Sequence, residues 1–415
     1  MTRRRMLRCL TLIMVGVLSM TGVVTSTADT AAPDPGREPW QQVPHDQVAE
    51  QCGLDPELLE QVSIQLTHTP FTVVRHGKLC WTGGYPDGTT TPYSVNSLTK
   101  TMGALLVGMV ATRSTLDDTD LVADWVQESD LGAINPRATI AHVLSMTSTS
   151  PDLSYGNKEP WSYDTFGDRE INVLVDVMNR AIAQEPAAFP GVDNVAQFAQ
   201  KELFDPLGMR DSSWPGENIA YSMTSTPEDL ARMGLLILRR GNWQGEQLLA
   251  ERFLYRMTHP AFEDVNTGYG YLTYANAAVN WTYSTGTSDT TCSPYSTWPR
   301  YPHAPFFEAP HVNGGSPFAS GYDVGLAWAA GAGGQRISVH RGLDLVITVR
   351  DEVISTDLSD PGIFEGHKNV WTKVRPALVA MDETFQGDEE AFCAAYQRSE
   401  YAPDLRDRWS ASASR

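Results

Sequence analysis

This sequence contains few lysines, and several common local motifs of enzymes are absent from it. Lysine supplies six of its 31 basic residues and arginine the other 25. The chain has no Gly-x-Ser-x-Gly elbow, no His-Glu-x-x-His zinc motif and no phosphate-binding loop, which excludes the local signatures of three large enzyme classes. It also has no Cys-x-x-Cys and no His/Cys cluster with zinc spacing, so we expect neither a metal nor a cofactor.

Positive charge is also scarce. The 31 Lys and Arg residues face 50 Asp and Glu residues, a formal net charge of −19. Without residues 1–30, which hold four arginines and one aspartate, the balance is 27 minus 49, or −22. Basic patches bind nucleic acids and anionic lipids, so this acidity argues against both partners. We expect a small-molecule substrate and leave the oligomeric state open.

The N-terminus has the pattern of a secretory signal. Four arginines within the first eight residues precede an apolar run over residues 9–24, and small residues follow it. This run of 16 residues is shorter than the roughly 20 that a membrane span needs. The order of charge, apolar core and small residues indicates that residues 1–30 are removed and that the protein is secreted or periplasmic. A signal anchor is the alternative.

Four cysteines follow this segment: Cys52, Cys80, Cys292 and Cys393. In an oxidising compartment an even count suggests two disulfides, with three possible connectivities. Pairing Cys52 with Cys80 closes the shorter loop and leaves Cys292 for Cys393. Free buried thiols are the alternative.

Strand patterns at both ends of the chain enclose a mainly helical stretch, without a linker between them. This order predicts an α/β (α+β) protein with one sheet domain that is interrupted by an inserted all-helical domain. The predicted parts are a discontinuous sheet domain, a helical domain, a surface insertion or lid rich in Ser, Thr, Pro and Gly, and a flexible tail: residues 31–115 with 236–405, 116–235, 283–318 and 406–415.

The clearest chemistry lies in Ser97-Leu98-Thr99-Lys100. A helical spacing of three places the hydroxyl and the amine on one face. Serine is a poor nucleophile until a base takes its proton, and lysine can be that base only if burial lowers its pKa from about 10.4. The apolar residues over 102–110 indicate a buried helix. A capping serine followed by a solvated lysine is the alternative.

Three further segments follow in a fixed order. They are His142-Val143-Leu144-Ser145-Met146-Thr147-Ser148, Leu203-Phe204-Asp205-Pro206-Leu207-Gly208-Met209 and the stretch Ser-Thr-Pro-Glu-Asp-Leu-Ala-Arg-Met-Gly over 225–234. Together with the Ser-x-x-Lys motif, they resemble the penicillin-recognising serine hydrolases, specifically the class C β-lactamase-like branch, over nearly all of residues 31–415. The resemblance implies a β-lactamase/DD-peptidase-like fold, with an antiparallel sheet flanked by helices and an inserted all-helical domain, and a Ser-Lys-Tyr acyl-enzyme mechanism.

The resemblance also implies a catalytic tyrosine from a Tyr-x-Asn motif. Tyr155-Gly156-Asn157 matches the letters, whereas Tyr163 has the matching position, just ahead of the helix predicted over 171–183. We expect Tyr163 to be the catalytic tyrosine and Tyr155 and Asn157 to contact the substrate, with Tyr155 as the alternative catalytic residue.

The family's third motif, Lys-Thr-Gly or His-Thr-Gly, corresponds here to Trp328-Ala329-Ala330-Gly331 and lacks the cation. That cation helps to bind a substrate carboxylate, so its loss disfavours β-lactams and D-Ala-D-Ala peptides. The tryptophan resembles that of family VIII carboxylesterases, and the glycine-rich run after it is similar to that of 6-aminohexanoate-oligomer hydrolases. The resemblance implies an oxyanion hole from the N–H groups of Ser97 and of Ala330 or Gly331, and a substrate contact for Trp328. The later sequence His340-Arg341-Gly342 is interpreted as structural.

We therefore expect a secreted serine hydrolase that acts on esters or small amides. A D-amino-acid peptidase or weak β-lactamase acting on cell-wall peptides or β-lactams is the first alternative. A catalytically inactive homologue that binds such fragments or a protein partner is the second.

Overall fold

The computed structural model describes residues 34–84, 88–149, 153, 168–259, 261–262, 269–276, 326–350 and 365–397. These residues all belong to one compact unit, Pro33–Arg415. Within them, no helix combines the length and apolarity needed to cross a bilayer.

One six-stranded sheet forms the centre of this unit, and all its neighbouring strands are antiparallel. Its strand order is β2-β1-β10-β9-β8-β7, so the first and last of the described strands lie side by side within it. β3 pairs with β4, and β5 with β6. The strands are β1 Phe71–Arg75, β2 Lys78–Gly83, β3 Tyr93–Ser94, β4 Thr224–Ser225, β5 Asn242–Trp243, β6 Glu246–Gln247, β7 Tyr274–Asn276, β8 Leu326–Gly331, β9 Gln335–His340 and β10 Leu345–Val349.

Helices lie mostly between β3 and β7 and at the two ends of the chain. The α-helices are α1 Val48–Cys52, α2 Pro56–Gln65, α3 Thr99–Arg113, α4 Val122–Trp125, α5 Glu128–Leu131, α6 Ile140–Leu144, α7 Asp168–Gln184, α8 Val195–Phe198, α9 Asp205–Leu207, α10 Pro227–Leu238, α11 Glu251–Thr258, α12 Glu365–Met381 and α13 Glu389–Gln397. A π-helix, Ala199–Phe204, precedes α9, and short 3-10 helices occur at His45–Gln47, Asn96–Leu98 and Arg341–Leu343.

We call the side of the sheet that carries Ile337, Val339 and Val346 the front face. Helix α10 packs on it, against β1, β9 and β10. Gly234 permits this close approach, because a Cβ there would press on the side chains of Val346 and Ile337. The front-face residues share one hydrophobic cluster with α3, whose residues from Thr99 to Val110 are all buried.

The back face carries Trp328, Leu345 and Ile347, and a second cluster joins it to α2 and α12. Cys52 and Cys80 form a disulfide in this layer, which is one of the bridges that the cysteine count allows. Cys393 is disulfide-bonded as well, whereas Cys292 lies outside the described residues.

Two of the family-like segments are held together by one side chain. Thr226 caps α10 by accepting a hydrogen bond from the Asp229 N–H, and Pro227 begins the helix, a position that proline favours. Arg232, one turn later, donates to the backbone carbonyls of Leu207, Gly36 and Glu38. Arg232 lies in the segment over 225–234, and its hydrogen bonds join that segment to the one over 203–209 and to residues 36–38 near the N-terminus.

Helix α10 also bears on the predicted domain boundary. Most of it falls within the range predicted for the helical domain, 116–235, yet it packs on the sheet. The division into a sheet domain and a helical domain stays a prediction.

Candidate active site

Ser97 lies at the junction between β3 and the buried helix α3. The sequence predicts a helix from Ser97 onward, but a single 3-10 turn, Asn96–Leu98, comes first and α3 begins at Thr99. The Thr99 hydroxyl donates to the Asn96 carbonyl at 2.7 Å, which closes this turn. Ser97 itself is half-buried, whereas the helix that follows it is buried from Thr99 to Val110.

Lys100 meets Ser97 from the first turn of α3. Its Nζ lies 2.9 Å from Ser97 Oγ and 2.8 Å from the carbonyl oxygen of Ala220, and only 4% of the residue is exposed. A neutral amine can donate to a carbonyl and accept from a hydroxyl at the same time, whereas an ammonium can only donate. The arrangement therefore suits a lysine that takes the proton of Ser97.

The Ala220 carbonyl is presented by a tight turn. The Asn218 side-chain oxygen accepts hydrogen bonds from the N–H groups of Ala220 at 2.7 Å and Tyr221 at 3.3 Å. Asn172, from α7, accepts from the Ile219 N–H at 2.9 Å. Such side-chain-to-backbone bonds fix the direction of a turn. Sequence reasoning missed Ala220, because a backbone acceptor has no residue-type signal.

Backbone contacts fix the Ser97 turn against the segment that leads into β4. The Val95 N–H donates to the Met223 carbonyl, and the Met223 N–H donates to the Thr99 hydroxyl, each at 3.1 Å. The turn that carries Ser97 is therefore held by a segment that comes much later in the sequence.

The carboxyl end of β8 closes the other side of the turn. A Cβ on Gly331 would clash with the carbonyl oxygen of Val95, so only glycine allows the two backbones to approach this closely. The Asn96 side-chain nitrogen donates to the Ala332 carbonyl at 2.6 Å, just beyond β8. The structure thus brings Ala330 and Gly331 to the same place as Ser97 and Lys100.

A family model described as Beta-lactamase matches residues 70–298, more than half of the chain. The chain belongs to the beta-lactamase family. Its sheet, its helices and the Ser97–Lys100 pair agree with this assignment, and the protein is a serine hydrolase of that family.

Solved structures similar to this beta-lactamase-family chain share little sequence with it. A beta-lactamase from Sulfitobacter sp. EE-36 is 15% identical with a TM-score of 0.49, and the match covers 82% of this chain and 100% of that one. A penicillin-binding protein homologue from Caulobacter crescentus is 13% identical with a TM-score of 0.49, covering 79% of this chain and 97% of that one. Among curated proteins, none matches the chain.

The structure does not bring every predicted site residue of this family member to Ser97. The Trp328 side chain lies on the back face, where it stacks on Tyr274 at 4.1 Å between ring centroids. Successive strand residues face opposite sides, so Trp328 and Gly331 cannot share a face. A substrate contact by the Trp328 side chain is therefore not supported. Tyr155, Asn157 and Tyr163 lie outside the described residues, as does the 283–318 insertion.

Of the two histidines in the motifs quoted above, His340 is buried and His142 is half-buried. His340 stacks on Trp371 of the back-face cluster, and burial lowers its pKa to about 3. Its imidazole is therefore neutral at neutral pH, which agrees with a structural role. Burial also lowers the pKa of His142, whose Nδ1 accepts the Thr139 N–H at the start of α6. In the described part of the chain, no group of three or more His, Cys, Asp or Glu side chains could hold a metal ion.

Proposed function

We propose that this protein is a secreted serine hydrolase that cleaves esters or small amides through an acyl-enzyme on Ser97. The observation that carries the proposal is the 2.9 Å contact between the buried Lys100 amine and the Ser97 hydroxyl. An activated serine is recognised by a base within hydrogen-bond reach that a third group orients in turn. The Ala220 carbonyl is the orienting group here.

The reaction begins when Lys100 takes the proton of Ser97 and Oγ attacks the substrate carbonyl carbon. The N–H of Ser97 and an N–H of Ala330 or Gly331 stabilise the resulting oxyanion, and donors of this kind contribute about 3–4 kcal/mol each. The carbon–oxygen or carbon–nitrogen bond to the leaving group then breaks, and the leaving group takes up a proton relayed through Tyr163. Water hydrolyses the Ser97 ester and returns the enzyme to its starting state.

Esters and small amides are favoured because the end of β8 lacks a cation. Trp328 stands where the family's third motif has lysine or histidine, and no residue of β8 carries a charge, so β8 offers no charged side chain to a substrate carboxylate. The 283–318 insertion remains a proposed lid over the substrate. Secretion is supported by the signal-like residues 1–30 and by the Cys52–Cys80 disulfide, a bond that persists in oxidising compartments.

Active-site labelling tests the proposal. We expect a fluorophosphonate to label the protein on Ser97, as mapped by mass spectrometry, and a fluorescent penicillin to label it weakly or not at all. The Ser97→Ala variant should lose the label. Strong penicillin labelling would favour the D-amino-acid peptidase or β-lactamase alternative. Labelling that is absent, or unchanged in Ser97→Ala, would exclude Ser97 as the nucleophile. Comparing Tyr163→Phe with Tyr155→Phe in the same assay identifies the tyrosine.

A further inference from the structure

We propose that Asn96 is a positioning residue that sets the distance between the two halves of the oxyanion hole. The inference rests on the proposed acyl transfer at Ser97. Asn96 is the residue immediately before the nucleophile, and its side-chain nitrogen donates to the Ala332 carbonyl at 2.6 Å. One side chain therefore links the Ser97 turn directly to the chain that continues from β8.

The backbone of Asn96 is unusual. Its φ of 49° lies in the left-handed region, where asparagine is among the few residues that fit without large strain. This conformation lets the chain turn from Val95, which pairs with Met223, into the 3-10 turn that carries Ser97. Asparagine is thus suited both to the bend and to the link across it.

The amide of Asn96 is held in one orientation. Its oxygen accepts a hydrogen bond from the Ser94 hydroxyl at 3.2 Å, which leaves its nitrogen facing Ala332. The Ala332 and Gly331 carbonyls also face the side-chain amide of Gln335, whose nitrogen can donate to both. The Gly331 carbonyl further accepts from the Gly334 N–H at 3.2 Å. The peptide groups at the end of β8 are therefore fixed from several sides, and Asn96 adds a hydrogen bond to them from the residue next to the nucleophile.

Oxyanion donors act through their preorganisation, since they must already point to where the charge develops. The Ser97 N–H belongs to the peptide group that Asn96 and Ser97 share, and the second donor belongs to the end of β8. A shift between these two segments separates the donors, whereas the Lys100 amine keeps its hydrogen bond to the Ala220 carbonyl. Loss of the Asn96 link is therefore expected to slow acylation more than it weakens substrate binding.

Asn96→Gly and Asn96→Asp separate this role from a role in the backbone bend. Glycine accepts a φ of 49° freely, so Asn96→Gly removes the link and keeps the bend. Aspartate has nearly the same shape but cannot donate to Ala332. Gln386→Gly is the matched control, because Gln386 also has a left-handed φ, 48°, and is exposed on the turn between α12 and α13.

The readouts are kcat and KM for a simple ester, the rate of fluorophosphonate labelling and the thermal unfolding midpoint. We expect both Asn96 variants to lose about 10- to 100-fold in kcat and labelling rate, with KM within about twofold of the wild type. Gln386→Gly should keep the wild-type values. Wild-type labelling and kcat in Asn96→Gly, or a fall that only follows the unfolded fraction, would overturn the inference and leave the proposed function intact. If the wild type itself is not labelled on Ser97, the proposed function fails and the inference fails with it.

Discussion

Lys100 and Arg232 are both basic and almost fully buried, with 4% and 2% of each residue exposed, yet they lie in regions built differently. Lys100 contacts the Ser97 hydroxyl and the Ala220 carbonyl, beside the half-buried nucleophile. Arg232 contacts three backbone carbonyls and lies over the Trp40 ring at 4.9 Å. An amine can become neutral when buried, whereas a guanidinium stays charged and offers a rigid set of donors. The same formal charge therefore serves proton transfer in one region and cross-linking in the other.

Replacing Lys100 with methionine is expected to have the largest effect. Removal of the base should slow Ser97 acylation and ester hydrolysis by about 10³-fold. Folding stability should stay the same or rise, because an apolar side chain of similar length replaces a buried polar group. Ester kinetics and thermal unfolding measure the two effects. Lys100→Arg should be equally inactive, since arginine does not give up its proton.

Lys78→Met is the control for this variant, because Lys78 donates to Gln51 on another part of the protein. It should keep wild-type kinetics. If Lys100→Met retained activity within tenfold of the wild type, another group would have to act as the base and the contrast with Arg232 would fail.

Replacing Arg232 with methionine should lower folding stability and leave the reactivity of Ser97 unchanged. The carbonyls of Gly36, Leu207 and Glu38 would lose a charged donor, and we expect the free energy of unfolding to fall by about 3 kcal/mol. Denaturant unfolding measures this loss. Fluorophosphonate labelling of the protein that remains folded should proceed at the wild-type rate.

Arg210→Met provides a matched control, since Arg210 also donates to a backbone carbonyl of the N-terminal segment, that of Arg37, but from an exposed position. Its loss should be within about 0.5 kcal/mol. Equal destabilisation by Arg232→Met and Arg210→Met would mean that the burial of Arg232 does not add to stability. Slow labelling of folded Arg232→Met would mean that Arg232 also supports catalysis, contrary to the purely structural role assigned to it.

Local sequence was sufficient for some of this site. Residues three apart on helical backbone lie on one side, so the spacing of Ser97 and Lys100 predicts their contact. The resemblance predicts the antiparallel sheet flanked by helices, and the strand order and the family model confirm that fold. The Ala220 carbonyl could not be predicted, because it reaches Lys100 through a turn that depends on Asn218 and on packing against α7.

Trp328 shows a second limit. Strand alternation predicts that Trp328 and Gly331 face opposite sides of the sheet, but not which side receives the nucleophile. That choice depends on α10 packing on the front face and α12 on the back, contacts between segments far apart in sequence. Asn96 could have been noticed from its type, because asparagine before a turn often adopts the left-handed conformation.

The smallest expected effect concerns Asp229, an acidic residue in the same helix as Arg232. Burial raises the pKa of Asp229 to about 6, although it accepts hydrogen bonds from the Ser212 hydroxyl and the Asp211 N–H. The attraction of Arg232 works in the other direction but is weaker than the burial effect. The folded state therefore holds this proton more tightly than the unfolded chain, whose aspartates have a pKa near 3.9.

Stability contributed by this proton is complete below pH 4 and is lost as the pH rises through 6, because the unfolded chain releases the proton first. Relative to Asp229→Asn, which cannot ionise, the wild type should lose about 2 kcal/mol of unfolding free energy between pH 4 and pH 7 and nothing further above it. Urea unfolding of both proteins across this range measures the difference, in which the other titrating groups cancel. Parallel curves, or a wild type that gains stability with pH, would show that Arg232 and the helix N-terminus outweigh burial at Asp229. Arg232 would then stabilise the ionised form of Asp229 in addition to binding backbone carbonyls. Like Lys100, it would affect the protonation of a neighbouring group.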